Sequence, residues 1–283
     1  MMDQASGLRE LVAKSGSTNS RFITIASGKG GVGKTNFAVN FAYVMANVFD
    51  RKILLIDADI GLANVHLFLN ADPSKNIKNL FNGEPIDSII HHTYGFDALL
   101  GFSGIEDIFE MEDSSVLTII NELERISSQY DYVVIDTGSG INQKVAAFLR
   151  ASHKGYIITT PEPTALMDAY AFIKSIYNIY GYDSFKIVVN MCKNKEEGEL
   201  TFNKLKVSAK KFLGIDLELI GILPYTNNLR SAVKNNELIC MRYPKDPYSI
   251  NIANICKNEL QLGESEDENF WRKLFDVMGK KTS

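Results

Sequence analysis

Eight consecutive residues, Gly28-Lys29-Gly30-Gly31-Val32-Gly33-Lys34-Thr35, follow the apolar run Phe22–Ala26 and open an amphipathic segment that begins near Lys34. They satisfy the spacing GxxxxGK[ST] in a strand, loop, helix setting. Glycines let successive backbone N–H groups converge on phosphate oxygens, and a helix N-terminus adds about half a positive charge. In such a loop Lys34 reaches the β- and γ-phosphates and the Thr35 hydroxyl ligates magnesium. Gly28, Gly30 and Gly33 also fit GxGxxG, and Asp57 could then pose as the ribose carboxylate of a dinucleotide fold. That weaker pattern leaves Gly33-Lys34-Thr35 unexplained.

Two further apolar runs deliver acids. Leu55-Ile56 leads to Asp57-Ala58-Asp59, and Tyr132-Val133-Val134-Ile135 leads to Asp136-Thr137-Gly138-Ser139-Gly140. Strand side chains alternate, so Asp57 and Asp59 are expected to project the same way, toward one ligand at the carboxyl edge of a sheet. An Asp that closes a buried strand can also merely shape the next turn. Beside a phosphate loop the functional reading gains weight, because a triphosphate needs magnesium and an oriented water.

These groups must be positioned by a scaffold, and the rest of the chain supplies its pattern. Nearly continuous apolar runs at Phe22–Ala26, Ile53–Asp57, Phe96–Leu100, Tyr132–Asp136, Gly155–Thr160, Phe185–Asn190 and Leu219–Leu223 alternate with amphipathic stretches near Lys34–Val48, Ser114–Gln129, Gln143–Ala151, Ala165–Tyr180 and Leu200–Leu213. Such alternation predicts an α/β fold, a mostly parallel twisted sheet with helices on both faces. The 283 residues, 45% hydrophobic and 23% charged, suffice for a sizeable core and exclude disordered and low-complexity classes. A net charge of −4 provides no global field for nucleic acid, and no direct nucleic-acid partner is expected. Cys192, Cys240 and Cys256 are odd in number and lack CxxC spacing, which suits packing in a reducing cytoplasm. No stretch of ~18–20 apolar residues predicts a membrane span.

The loop resembles the deviant Walker A motif of the MinD/ParA class of P-loop NTPases (the SIMIBI group), and the resemblance implies ATP and Mg2+ as ligands. It implies that Lys29 reaches across an ATP-sandwiched homodimer to the partner's phosphates, so that Lys29, Lys34 and Asp59 form the catalytic set. Asp57-Ala58-Asp59 is similar to the family's switch I, in which the first acid supports the metal through water and the second orients the attacking water. Asp136 resembles the Walker B acid, giving Thr35, Asp57 and Asp136 as metal residues. Gly138 stands where the family commonly has proline, which predicts a looser loop. By the same resemblance the ATP-binding residues are Gly28, Lys29, Gly30, Gly31, Val32, Gly33, Lys34, Thr35 and Asn36, with Asn190, Pro224 and Tyr225 at the base and Glu162 facing the partner's nucleotide.

Two ends stand apart, and the chain divides into residues 1–20, a 21–262 ATPase domain and 263–283. In Phe270-Trp271-Arg272-Lys273-Leu274-Phe275-Asp276-Val277-Met278, positions Phe270, Trp271, Leu274, Phe275 and Met278 share one helical stripe after an acidic tether. The stripe and its basic neighbours suit a membrane-interface helix, though a helix packed back on the body would show the same spacing. Asp3-Gln4-Ala5-Ser6-Gly7-Leu8-Arg9 matches DQAxxLR, the N-terminal signature of the flagellar MinD-like ATPases known as the FlhG, FleN or YlxH group. In that group Asp3, Gln4, Ala5, Leu8 and Arg9 belong to a peptide that activates the signal-recognition-type GTPase FlhF. The resemblance therefore implies an ATP-dependent regulator of flagellar number or placement. It is expected in the cytoplasm and reversibly on the anionic inner membrane, with FlhF, flagellar C-ring switch proteins and a flagellar transcription activator as partners. A MinD-type division-site ATPase and a ParA-type DNA-segregation ATPase share the core. The first lacks the N-terminal peptide, and the second needs a basic surface for DNA.

Overall fold

Alternation along each strand decides which face every side chain occupies. On β1 (Arg21–Ser27), Ile23 and Ile25 enter one core while Phe22 and Ala26 point to the other face. On β2 (Ile53–Ala58) the same division separates Ile53 and Leu55 from Leu54 and Ile56. Both faces are apolar, so the sheet must be covered twice. The computed structural model describes residues 20–59, 65–101, 113–261, 270–271 and 273–274.

Eight strands run in the order β3-β4-β2-β5-β1-β6-β7-β8. Besides β1 and β2 they are β3 (Ile90–Thr93), β4 (Phe96–Leu99), β5 (Tyr132–Ser139), β6 (Lys154–Thr159), β7 (Phe185–Cys192) and β8 (Glu218–Pro224). All pair in parallel except β3 with β4, an antiparallel edge hairpin turned by Tyr94-Gly95. The α/β class holds, with that edge added. The central pairs β1–β5 and β2–β5 set Ile25 beside Asp136 and Asp57 beside Asp136, so the acids meet at one sheet edge by register alone.

In chain order the helices are α1 (Lys34–Asn47), α2 (Val65–Leu69), α3 (Ile77–Phe81), α4 (Ile86–Ile89), α5 (Asp113–Ser127), α6 (Gln143–Ala151), α7 (Pro163–Tyr180), α8 (Lys195–Leu213), α9 (Asn227–Lys234), α10 (Ile239–Arg242) and α11 (Pro247–Gln261). α1, α10 and α11 cover one face. The other face lies under α5 and α6 on one side and α7 and α8 on the other. Among the described residues no helix is long and apolar enough to cross a membrane.

Two expectations are corrected. Phe270, Trp271 and Leu274 do not present an outward stripe; all three are fully buried in the core under α5 and α6. Phe270 stacks on Phe22 at 4.0 Å between ring centroids, and the Trp271 indole donates from Nε1 to Ser127 Oγ at 2.9 Å. An amphipathic stripe is satisfied by any apolar surface, and the open flank of the sheet beside Phe22 is the one it meets. Phe275 and Met278 lie outside the described residues, as do Asp3, Gln4, Ala5, Leu8 and Arg9. Nor is the segment after Asp136 loose: β5 continues through Ser139, Thr137 Oγ1 donates to Ile25 O at 3.0 Å, and Gly140 N–H donates to Ser27 O at 2.9 Å.

Candidate functional site

The loop between β1 and α1 needs glycine for two separate reasons. Gly33 caps α1 at φ +87°, a left-handed conformation that other residues resist, and a Cβ there would stand 2.4 Å from Asn190 Nδ2. At Gly28 the obstacle is the backbone of α7, where a Cβ would come 2.3 Å from the Asp168 carbonyl oxygen. The loop is thereby pressed between the start of α7 and the end of β7. Its residues from Gly30 onward border a cavity of about 600 Å3.

Gly30, Gly31, Gly33, Lys34, Thr35 and Asn36 line one wall of that cavity, and Asp59, Ser139, Asn190, Met191 and Tyr225 stand around it. α2 adds Leu67 and Phe68, and α9 adds Leu229, Arg230 and Val233. Ser139, Met191 and Arg230 are absent from the sequence expectations. Ser139 is carried there by the unforeseen extension of β5, and Met191 by a left-handed backbone at φ +58°. Arg230 sits on a helix of eight residues whose periodicity is too short to announce itself.

Lys34 Nζ lies 2.7 Å from Asp136 Oδ1, both groups being almost wholly buried. Asp57 is fully buried beside them, its Oδ1 accepting the Asp59 N–H at 3.2 Å. Burial, and then the negative charge of Asp136, push the Asp57 carboxyl up to about 7. Oδ2 of Asp57 and Oδ2 of Asp136 have no hydrogen-bond partner among the described residues. Buried acceptors of this kind are normally satisfied, and hard carboxylate oxygens, together with a hydroxyl such as that of Thr35 on the adjoining cavity wall, are the donor set that magnesium takes. The residues therefore fit that ion. Asp57 and Asp59 do not share one exposure: Asp59, just past the strand end, lines the cavity, whereas Asp57 is set behind it.

The remaining predicted residues divide. Lys29 is not on the cavity wall; its Nζ lies 3.1 Å from Glu162 Oε2 and 2.8 Å from Thr164 Oγ1 on the exposed lip. Val32 is buried, and its carbonyl accepts from Asn190 Nδ2 at 2.8 Å. Asn190 Oδ1 accepts the Met191 N–H at 2.8 Å, so this side chain ties the base end of the cavity to the phosphate loop. Tyr225 is half exposed on the rim, while Pro224 pairs with Cys192 in the sheet behind it.

Residues 20–191 match the family described as AAA domain. The chain is 32% identical over 230 residues to the antiactivator FleN of Pseudomonas aeruginosa, covering 81% of this chain and 82% of that protein. It is 33% identical over 272 residues to the flagellum site-determining protein YlxH of Helicobacter pylori, covering 92% of each. Among solved structures, the septum site-determining protein MinD of Pyrococcus horikoshii, complexed with Mg-ADP, superposes with a TM-score of 0.65 at 18% identity over 87% of this chain and 99% of that one.

Proposed function

The chain belongs to the flagellar MinD-like ATPases of the MinD/ParA family, and from that premise we propose that it is an ATP-driven dimerisation switch controlling flagellar number or placement. The observation that carries this reading is the different address of two lysines in one loop. Lys34 lines the cavity of its own subunit, whereas Lys29 stands outside it on the lip beside Glu162. A lysine placed there suits a triphosphate held by a second copy.

On nucleotide binding Lys34 exchanges Asp136 for the β- and γ-phosphates, where its charge is worth most in a water-poor cavity. Thr35 and Asp136, supported by Asp57, would hold magnesium, whose charge would offset that of the phosphates. Asp59, at the cavity surface, orients the attacking water. Gly28 to Asn36 cradle the phosphates, and Asn190, Pro224 and Tyr225 border the base. Lys29 and Glu162 address the partner's nucleotide.

One relative's name, an antiactivator, supports an activator as partner, and the other's, a flagellum site-determining protein, supports action at the flagellum, where the C-ring is the partner proposed. Residues 1–20, through Asp3, Gln4, Ala5, Leu8 and Arg9, are proposed to stimulate FlhF. Contact of residues 263–283 with the anionic inner membrane requires a state in which Phe270, Trp271 and Leu274 leave the core. Seating large apolar groups is worth about 2 kcal/mol each, so that state needs a compensating surface.

Light scattering of Asp59→Ala with ATP and magnesium tests the switch. The variant is expected to bind ATP and persist as a dimer, because the water is no longer oriented and the triphosphates stay intact. A variant that binds ATP and remains monomeric overturns the reading.

A further inference from the structure

Asn36 is the third residue of α1, more than nine-tenths buried, and forms part of the cavity wall. The orientation of its amide follows from groups that cannot change role. The Cys240 backbone N–H can only donate, and it lies 3.0 Å from Asn40 Oδ1. Asn40 must then turn its Nδ2 toward Asn36, donating to the Asn36 carbonyl at 2.8 Å and lying 3.4 Å from Asn36 Oδ1. The Tyr248 hydroxyl, 3.1 Å from the same oxygen, donates to it as well. Two donors converge on Oδ1, which leaves Nδ2 as the unshared end of the amide. Asn36 Nδ2 has no hydrogen-bond partner among the described residues.

A buried amide donor without an acceptor is costly. Here it stands in the first turn of the helix that opens the phosphate loop, where the helix dipole favours an anion. We propose that Tyr248 of α11 and Asn40 are positioning residues for the ATPase reaction, holding the Asn36 amide so that Nδ2 donates to a phosphate oxygen of the bound nucleotide. Neither Tyr248 nor Asn40 borders the cavity, and Tyr248 is fully buried, so both act only through Asn36. The relay begins at the backbone of α10, which makes the covering helices, as well as the loop, part of the phosphate site.

This inference rests on ATP occupying the cavity, and its test separates the two. Calorimetric ATP binding with magnesium, steady-state hydrolysis and thermal melting are measured on the full chain. Asn36→Asp keeps an oxygen for both Tyr248 and Asn40 but removes the N–H and adds a negative charge. It is expected to melt cooperatively, though below the wild-type temperature, without nucleotide and to bind ATP about 100-fold more weakly. Tyr248→Phe is expected to raise KM for ATP about 5-fold with kcat nearly unchanged, since the misaligned bond is made equally in ground and transition states. In the Asn36→Asp background it should add nothing. Should Tyr248→Phe not fold, Asn40→Asp carries the same test, because it keeps the acceptor for Cys240 and loses the donor to Asn36. Wild-type affinity in Asn36→Asp overturns the Asn36 contact while hydrolysis by the wild type leaves the ATP reading standing. Multiplying effects of Tyr248→Phe and Asn36→Asp, or an unchanged KM in Tyr248→Phe, overturn the relay.

Discussion

Among the described residues the sheet carries a lysine–carboxylate cluster at each end of its strands, with the carboxylate buried in both. At the amino end Lys154 Nζ lies 2.8 Å from Glu259 Oε1, and the Tyr156 hydroxyl donates to Glu259 Oε2. Both carboxylate oxygens are taken, and the cluster ties the last turn of α11 to the start of β6. At the carboxyl end Lys34 bonds one oxygen of Asp136, while Oδ2 of Asp136 and Oδ2 of the adjoining Asp57 have no partner among the described residues. Similar residue types thus produce a closed network in one place and an open one in the other. A buried charge pair with both carboxylate oxygens bonded holds the fold, whereas an incomplete one is set up for a ligand that completes it.

The widest contrast is expected from removing one member of each cluster. Glu259→Ala leaves Lys154 and the Tyr156 hydroxyl without their acceptor and should cost about 3–5 kcal/mol in thermal unfolding. A loss within the ±0.5 kcal/mol of ordinary surface changes would break the comparison. Asp57→Asn should act in the opposite direction. The Asp57 carboxyl lies near 3.8 in an unfolded chain and near 7 in the fold, so the folded state binds the extra proton between those values. Stability from this group therefore falls as pH rises from about 4 to about 7 and is flat above. Asn removes that slope, and without nucleotide should stabilise the protein above pH 7 on the order of 4 kcal/mol. Melting curves of both proteins across pH 4–8 check this; parallel curves would mean that Asp57 is ionised and satisfied in the fold.

Much of this was legible in residue order, and the failures share a cause. Gly28–Thr35 declares itself because phosphate binding needs a fixed local spacing, and the strand that precedes it is continuously apolar. β3 was missed because His91, His92 and Thr93 interrupt its apolar content at an exposed edge. α11 was missed although Asp246 caps it and Pro247 opens it. Asn251, Asn254 and Asn258 dilute a stripe of Tyr248, Ile252, Ile255 and Cys256 whose buried side also carries Ser249 and Glu259. Periodicity identified the apolar side of Phe270, Trp271 and Leu274 but carries no information about what covers it. The same limit hid the Tyr248–Asn36 bond, which spans 212 residues of chain.

The smallest effect should come from the lip of the cavity, and it sharpens the contrast by adding a charge pair of a third kind. Lys29 and Glu162 are 3.1 Å apart, yet their side chains are 36% and 68% exposed, so water and salt screen them and holding two flexible chains together offsets most of the gain. Glu162→Gln should therefore change unfolding free energy by about 0.5 kcal/mol or less, with that small change vanishing as ionic strength rises past about 0.5 M. The neutral amide can still accept from Lys29, and Thr164 Oγ1 remains 2.8 Å from its ammonium. A loss above about 2 kcal/mol would place this pair with the closed network of Glu259, as a part of the fold. A negligible one leaves Lys29 held by contacts weak enough to be exchanged for a phosphate, which is what its proposed reach into a second subunit demands.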